Sequence, residues 1–319
     1  MTQPLDTLKQ LPPLMPQFLR RRRAGLPARA QLMRDLGLDP RTMSVLFFLH
    51  QVQGSYEGHP VTISQLRAYE PYSAIDWCTA PLGVFLEKGL VAVDTGGAYT
   101  LTPRGREAMD DLHAAGRQHV SQLQPLPEEE LETLADQLER ATAGFIADPV
   151  LSPRPGSHLE GARSLRVDSD TLHAMVRIEQ AIYELWGARD DAHMKAWRDA
   201  GLEGPPLDVL TRLWTGEAST LAGLQEVLAD EQTPTDIDSS LAYLLDKEYI
   251  QRDGDSVQLT PEGVLVREDI ERDTDKLYFD PWPHTTRDAR WVLGALRRLI
   301  DNLPTPPPPP PDQTQQSGR

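Results

Sequence analysis

Few residues in this chain have the types and spacing that chemistry needs. The run Arg20-Arg21-Arg22-Arg23 is its densest positive patch. Guanidiniums at that density either fork onto phosphate oxygens or form a solvated helix end. His193 near Asp190 and Asp191, with His173 earlier, offers imidazoles and carboxylates of the kind that bind divalent ions. No His-Glu-x-x-His pattern, paired cysteine or repeated His spacing goes with them, so helix capping or solvation is the expected role. The single Cys78 sits on the inward stripe of its helix, which favours a buried, inert thiol over a nucleophile. No serine stands in a Gly-x-Ser-x-Gly setting, and neither Gly-x-Gly-x-x-Gly nor a Walker-type phosphate loop occurs. The expectation is a non-enzymatic protein with no catalytic residues, no metal and no cofactor.

Composition narrows the class. At 319 residues, 25% charged and 39% hydrophobic, the chain can build two sizeable cores. A net charge of -16 opposes broad contact with a phosphate backbone, so any nucleic-acid surface must be a local basic patch. One cysteine precludes an intrachain disulfide, and no run approaches a membrane span. The expected location is the cytoplasm, with no membrane partner.

The elements that would position these residues are written twice. Phe85 to Gly105 and Leu244 to Gly263 both read as a helix end, a two-stranded hairpin and a new helix opened by Thr-Pro. Leu86/Leu245, Lys88/Lys247, Val91/Ile250, Leu101/Leu259, Thr102/Thr260, Pro103/Pro261 and Gly105/Gly263 correspond. Upstream, Val45, Leu46 and Leu49 return as Val209, Leu210 and Leu213, and Thr62-Ile63 returns as Thr220-Leu221. In the third helix of each copy, Ser73 with Asp76 suggests a capping box, as does Thr233-Pro234-Thr235-Asp236. Pro81 allows a later start near Thr79 for the first of these helices. The organisation expected is a flexible basic arm over 1–25, a first module over 26–147, a linker over 148–168, a second module over 169–303 and a disordered Pro-rich tail over 304–319.

Three short helices followed by a hairpin is the layout of a winged helix-turn-helix. The stretch LEKGLVAVDTGGAYTLTPRG, the long helix after it and then PLPEEELETLADQL resemble the bacterial MarR-type regulators. There a leucine-rich recognition-helix end runs into a wing closed by Leu-Thr-x-x-Gly, here Leu101 to Gly105. The second half, with DAHMKAWRDAGLEG and REDIERDTDKLYFDPW, is similar to a bacterial family carrying two such modules in tandem. The resemblance implies a mainly α fold with small β-wings, two modules fused into an intrachain pseudo-dimer, and a DNA-binding transcriptional regulator with a small-molecule effector pocket. It leaves open whether the chain is a monomeric pseudo-dimer or a homodimer.

DNA reading requires donors on the outward face of the third helix. In the second copy that face is expected to hold Asp236, Asp238, Ser239, Ala242, Tyr243 and Asp246, and in the first Trp77, Thr79, Ala80, Gly83, Val84 and Glu87. The basic residues left for DNA are Arg20, Arg21, Arg22, Arg23, Arg41, Lys88 and Arg104, with Arg287, Arg290, Arg297 and Arg298 in the last helix. The alternative is a module that has lost DNA contact and binds a protein partner or small ligand through an apolar face of Trp77 and Val84, joined by Trp186 and Trp197.

Overall fold

A computed structural model of the chain describes residues 5–167, 171–282 and 288–305. Three leading helices, α1 (Leu5–Leu8), α2 (Leu14–Arg21) and α3 (Ala28–Leu36), precede a first unit. That unit is α4 (Pro40–Ser55), α5 (Ile63–Tyr69), α6 (Ile75–Glu87), the hairpin β1 (Val91–Val93) and β2 (Tyr99–Leu101), and α7 (Pro103–Val120). Then come α8 (Glu128–Ala147), the short α9 (His158–Arg163) and the long α10 (Ala174–Asp199). The second unit repeats the order: α11 (Gly204–Thr215), α12 (Leu221–Val227), α13 (Pro234–Asp246), the hairpin β3 (Ile250–Asp253) and β4 (Ser256–Leu259), and α14 (Pro261–Phe279). α15 (Ala289–Asn302) closes the described chain.

The repeated Leu-Thr-Pro-x-Gly explains itself locally. Thr102 and Thr260 cap α7 and α14, each hydroxyl accepting from the N–H of Gly105 or Gly263 at 3.1 Å, and Pro103 and Pro261 fill the first position, where no N–H is needed. Each hydroxyl also donates to a carbonyl at the end of the preceding helix, Gly89 or Glu248, at 2.7 Å. Glycine is required at 105 and 263 because a Cβ there would overlap the carbonyl of Leu90 or Tyr249. The strand pairs are antiparallel, Val91 opposite Leu101 and Ile250 opposite Leu259, and each hairpin takes one further bridge, Val61 to Tyr99 or Thr220 to Ser256.

The third helices differ in how they start. α13 uses the Thr233/Asp236 capping box with Pro234 in its first turn. α6 does not use Ser73 and Asp76. Its N-cap is Ala74, with no side-chain cap, and the Ala74 N–H donates instead to the carbonyl of Glu231 in the second unit. The N-cap thus falls one residue beyond Ser73, out of register for a Ser73/Asp76 box. α6 starts at Ile75, not Thr79, so Pro81 lies inside it.

Among the described residues three hydrophobic cores form where two modules are expected. Each unit has its own, one around Leu46, Phe48 and Phe85, the other around Trp197, Leu210 and Leu244. The third is a helical bundle to which α2, α8, α10, α14 and α15 all contribute buried side chains. Boundaries at 147 and 169 therefore cut through one packing unit.

Two further expectations are corrected. Residues 5–25 are no flexible arm, since Leu8, Leu11, Met15 and Phe18 are buried in the bundle core. Residues 148–167 are no loose linker: Leu151 and Leu159 join that core, and α9 packs on α4 and α10. Both segments lack long periodic runs, so their burial rests on a few well-placed apolar residues. Residue 168 and the tail from 306 lie outside the described residues.

Candidate functional site

The surfaces that would face DNA come first. On α13 the exposed residues include Asp238, Ser239, Ala242 and Asp246. On α6 they are Asp76, Ala80, Gly83, Leu86 and Glu87, and no basic side chain is among them. The wing tips add none in the first unit, where Asp94 is tied into its own turn by the N–H groups of Gly96 and Ala98 at 2.8 and 2.9 Å. In the second, Arg252 turns back to the carbonyl of Gly254 at 2.8 Å. Exposed carboxylates here repel phosphate, and the exposed basic side chains set against them are Arg252 on the second wing and Lys247 at the end of α13.

The α5–α6 turn is not free either. It docks on the second unit at the start of α11 and at the turn before α13. Gly204 permits the approach, because a Cβ there would overlap the Pro71 carbonyl. The Tyr72 hydroxyl accepts from the Trp197 indole N–H at 3.0 Å, and Arg198 donates to the Ala68 carbonyl at 3.2 Å. With the Ala74 N–H bonded to the Glu231 carbonyl, the leading end of α6 is tied to the second unit.

Beneath the turn lies a buried titratable cluster. Asp191 accepts from the N–H groups of His158 and Leu159 at 2.9 and 3.0 Å, and the His158 ring packs on Tyr69 with centroids 4.0 Å apart. Burial pushes the Glu70 carboxyl up to about 7, and that of Asp190 up to about 6. Burial disfavours charge on His158 too, but Asp191 and Asp190 outweigh it and its pKa is raised.

The basic residues divide. Arg20, Arg41 and Arg104 are exposed, Arg104 also donating to the Lys88 carbonyl at 2.8 Å. Lys88 is half-buried at the C-cap of α6. Arg21 donates to the Ile300 carbonyl at 2.8 Å. Arg22, 4% exposed, is paired with the buried Glu179 and also donates to the Tyr183 hydroxyl. Arg23 reaches the same Glu179 oxygen at 3.0 Å. The four arginines are thus no phosphate-contacting arm: α2 is amphipathic, its apolar side seats it in the bundle, and Arg22 goes in with it. In α15, Arg297 donates to Gln10 at 2.8 Å and Arg298 pairs with Glu130, while Arg287 lies outside the described residues.

Two cavities flank this arginine group. One, about 480 Å³, has Leu19, Leu26, Met43, Phe47 and Leu112 in its walls, with Arg20 and Arg29 among its polar groups. The other, about 490 Å³, lies between α7, α8 and α10 and is lined by Arg23, Arg117, Arg166 and Arg177 with His113 and Tyr183. Arg23 and Tyr183 line both. Sequence reading missed Arg117, Arg177, Glu179 and Tyr183, because α7 and α10 meet only in the bundle and no local spacing marks them.

The expected apolar face does not form. Trp77 and Val84 are half-buried against the first core, Trp77 lying edge-on to Phe48 at 5.3 Å. Trp186 packs on the bundle, and Trp197 is buried in the second core. Helix phase decides this, since the exposed side of α6 is the one carrying Ala80 and Gly83. Cys78 is buried, which pushes its thiol pKa up. The His193 Nδ1 lies 3.1 Å from the Thr274 hydroxyl, and among the described residues no three His, Cys, Asp or Glu side chains are placed to hold a metal ion. Nor, among those residues, is any helix long and apolar enough to cross a membrane.

A family model described as a helix-turn-helix family matches residues 160–305, which cover the second unit together with α10 and α15. That part of the chain contains a helix-turn-helix domain. No curated protein and no solved structure matches the chain.

Proposed function

We propose that this chain is a non-enzymatic, MarR-like winged helix-turn-helix protein. Its two units pair within one chain across the helical bundle as a pseudo-dimer, and it acts by binding a small ligand or partner, not by reading DNA through its third helices. One observation carries the reading: the leading end of α6, the part of a recognition helix that meets base edges, is tied to the second unit by the Ala74 N–H on the Glu231 carbonyl. The exposed Asp238 and Asp246 of α13 act in the same direction. The 480 Å³ cavity supports a ligand role, since apolar walls with a few cationic groups suit a small molecule with a polar end.

A second reading, DNA-binding transcriptional regulation, is favoured by the helix-turn-helix match over 160–305 and by the exposed Arg20, Arg41 and Arg104. The two readings separate in one titration. Mixed-sequence duplex DNA is added at about 50 and about 200 mM salt to the intact protein and to the Arg20→Ala/Arg41→Ala/Arg104→Ala variant. No binding at the lower salt supports the ligand reading. Salt-sensitive binding that the triple variant loses supports DNA and overturns it.

A further inference from the structure

We infer that the cavity between α7, α8 and α10 is a binding site for a small organic anion, a carboxylate or phosphate monoester with a short apolar body. The inference is independent of whether the chain binds DNA, and the site is a different chamber from the one over Phe47. The cavity measures about 490 Å³, the size of a metabolite pocket.

Its charge balance is uneven from end to end. At the inner end Arg22 and Arg23 converge on one carboxylate oxygen, Glu179 Oε1. Arg22 is the more buried of the two and has the Leu19 carbonyl and the Tyr183 hydroxyl for its remaining donors. Arg23 lies flat over Gly116, where a Cβ would come within 2.7 Å of Cζ. The next residue on α7, Arg117, lines the same cavity, and among the described residues no acidic side chain forms an ion pair with it. One turn earlier stands His113, 6% exposed, whose Nε2 has no hydrogen-bond partner. Burial and the surrounding guanidiniums keep that ring neutral, its pKa pushed down to about 3. Arg22 and Arg23 therefore share one carboxylate here, and Arg117 pairs with none among the described residues. Partly buried cations call for counter-charge, and two adjacent forks are the geometry that carboxylate and phosphate oxygens fit.

The other guanidiniums of the lining already have carboxylate partners. Arg177 is bound by Glu132, Asp136 and Glu139, and Arg166 by Glu184. An anion entering the cavity is thus drawn to Arg23 and Arg117 and away from the carboxylates around Arg177. Leu165, Val167, Leu172 and Val176 supply an aliphatic wall for the rest of the ligand. That wall is why an organic anion, and not a bare inorganic one, is the class assigned.

The test is calorimetric titration of the full chain at fixed ionic strength with inorganic phosphate, hexanoate and hexyl phosphate. Saturable one-to-one binding of hexanoate or hexyl phosphate, tighter than inorganic phosphate, is expected, and the tighter of the two identifies the head group. Arg117→Gln should weaken it roughly ten- to hundredfold, the loss of one charge-assisted contact. Arg140→Gln, an exposed arginine on α8, should leave it unchanged. Val167→Glu, at a partly exposed wall position, should weaken it as well. Neither weakening variant removes a core side chain, and an unchanged melting temperature confirms that each folds. Absence of saturable binding with all three probes, preference for inorganic phosphate over both organic anions, or equal affinity in Arg117→Gln overturns the assignment.

Discussion

Gly204 and Pro71 meet backbone to backbone, the glycine lying so close to the proline carbonyl that no other residue fits without separating the two winged units. The contact joins the start of α11 to the turn before α6 and fixes where the third helix of the first unit can point. Gly204→Ala is expected to destabilise the protein by about 1–3 kcal/mol, the cost of overpacking, in urea unfolding. Gly83→Ala is the control: it is exposed, within a helix and with nothing near a new Cβ, so it should stabilise by roughly 0.5–1 kcal/mol. If Gly204→Ala matches Gly83→Ala in sign, the approach is not a constraint.

A comparison within the chain predicts a stabilising change. Gly89 and Glu248 occupy the same position between third helix and wing, both with positive φ, 65 and 58 degrees. A glutamate pays strain there that a glycine does not. Glu248→Gly should raise stability by about 1 kcal/mol, against a loss of similar size for Gly89→Glu. Thermal unfolding of the pair decides it, and a loss in the first variant counts against the argument.

The carboxyl of Glu70 predicts a pH dependence. Its pKa is about 7 in the fold against an ordinary 4.5, the cause being burial, with Asp190 and Glu231 adding repulsion and His158 partly offsetting it. A carboxyl with a raised folded pKa holds its proton more tightly when folded. The stability it allows is therefore present below the ordinary value and lost as pH rises through about 7. Glu70→Gln, which stays neutral, should gain about 2 kcal/mol over the parent at pH 8 and little at pH 4, measured by denaturant titration. Buried His113 and His193 titrate the other way, their pKa values pushed down to about 3 and about 4, so the parent should also weaken as pH falls below the ordinary histidine value. An equal effect of Glu70→Gln at both pH values would show that the cluster does not carry the charge cost.

Glu179 holds Arg22 and Arg23, the two arginines that follow α2. Glu179→Ala strands Arg22 without counter-charge and should cost about 3–5 kcal/mol. Arg20→Ala, exposed on the same helix, should change stability by less than about 0.5 kcal/mol. Similar small effects from both would mean that α2 is held by its apolar side alone.

How far the sequence disclosed this architecture can be traced residue by residue. The hairpins, the Thr-Pro helix starts and the Thr233 cap were legible because their signals are local: a cap needs a partner three residues away, and a strand pair needs a short turn. Burial of Cys78 was legible from helix phase. The N-terminal arginines were misread because Glu179, the partner of Arg22, lies in α10, and nothing near residue 22 announces it. The unused Ser73 cap failed for a related reason, the helix starting one residue later, where Ala74 bonds to a carbonyl from the other unit. The anion cavity left no trace, since its arginines come from four segments that only the bundle brings together.

The bundle has a consequence for how the chain is made. α1 and α2 pack on α15, so the apolar side that carries Leu8, Leu11, Met15 and Phe18 meets a partner translated long after it. Until α10 and α15 have both been made, those side chains lack part of their native packing. Over that interval the growing chain carries an amphipathic segment whose apolar side is unburied.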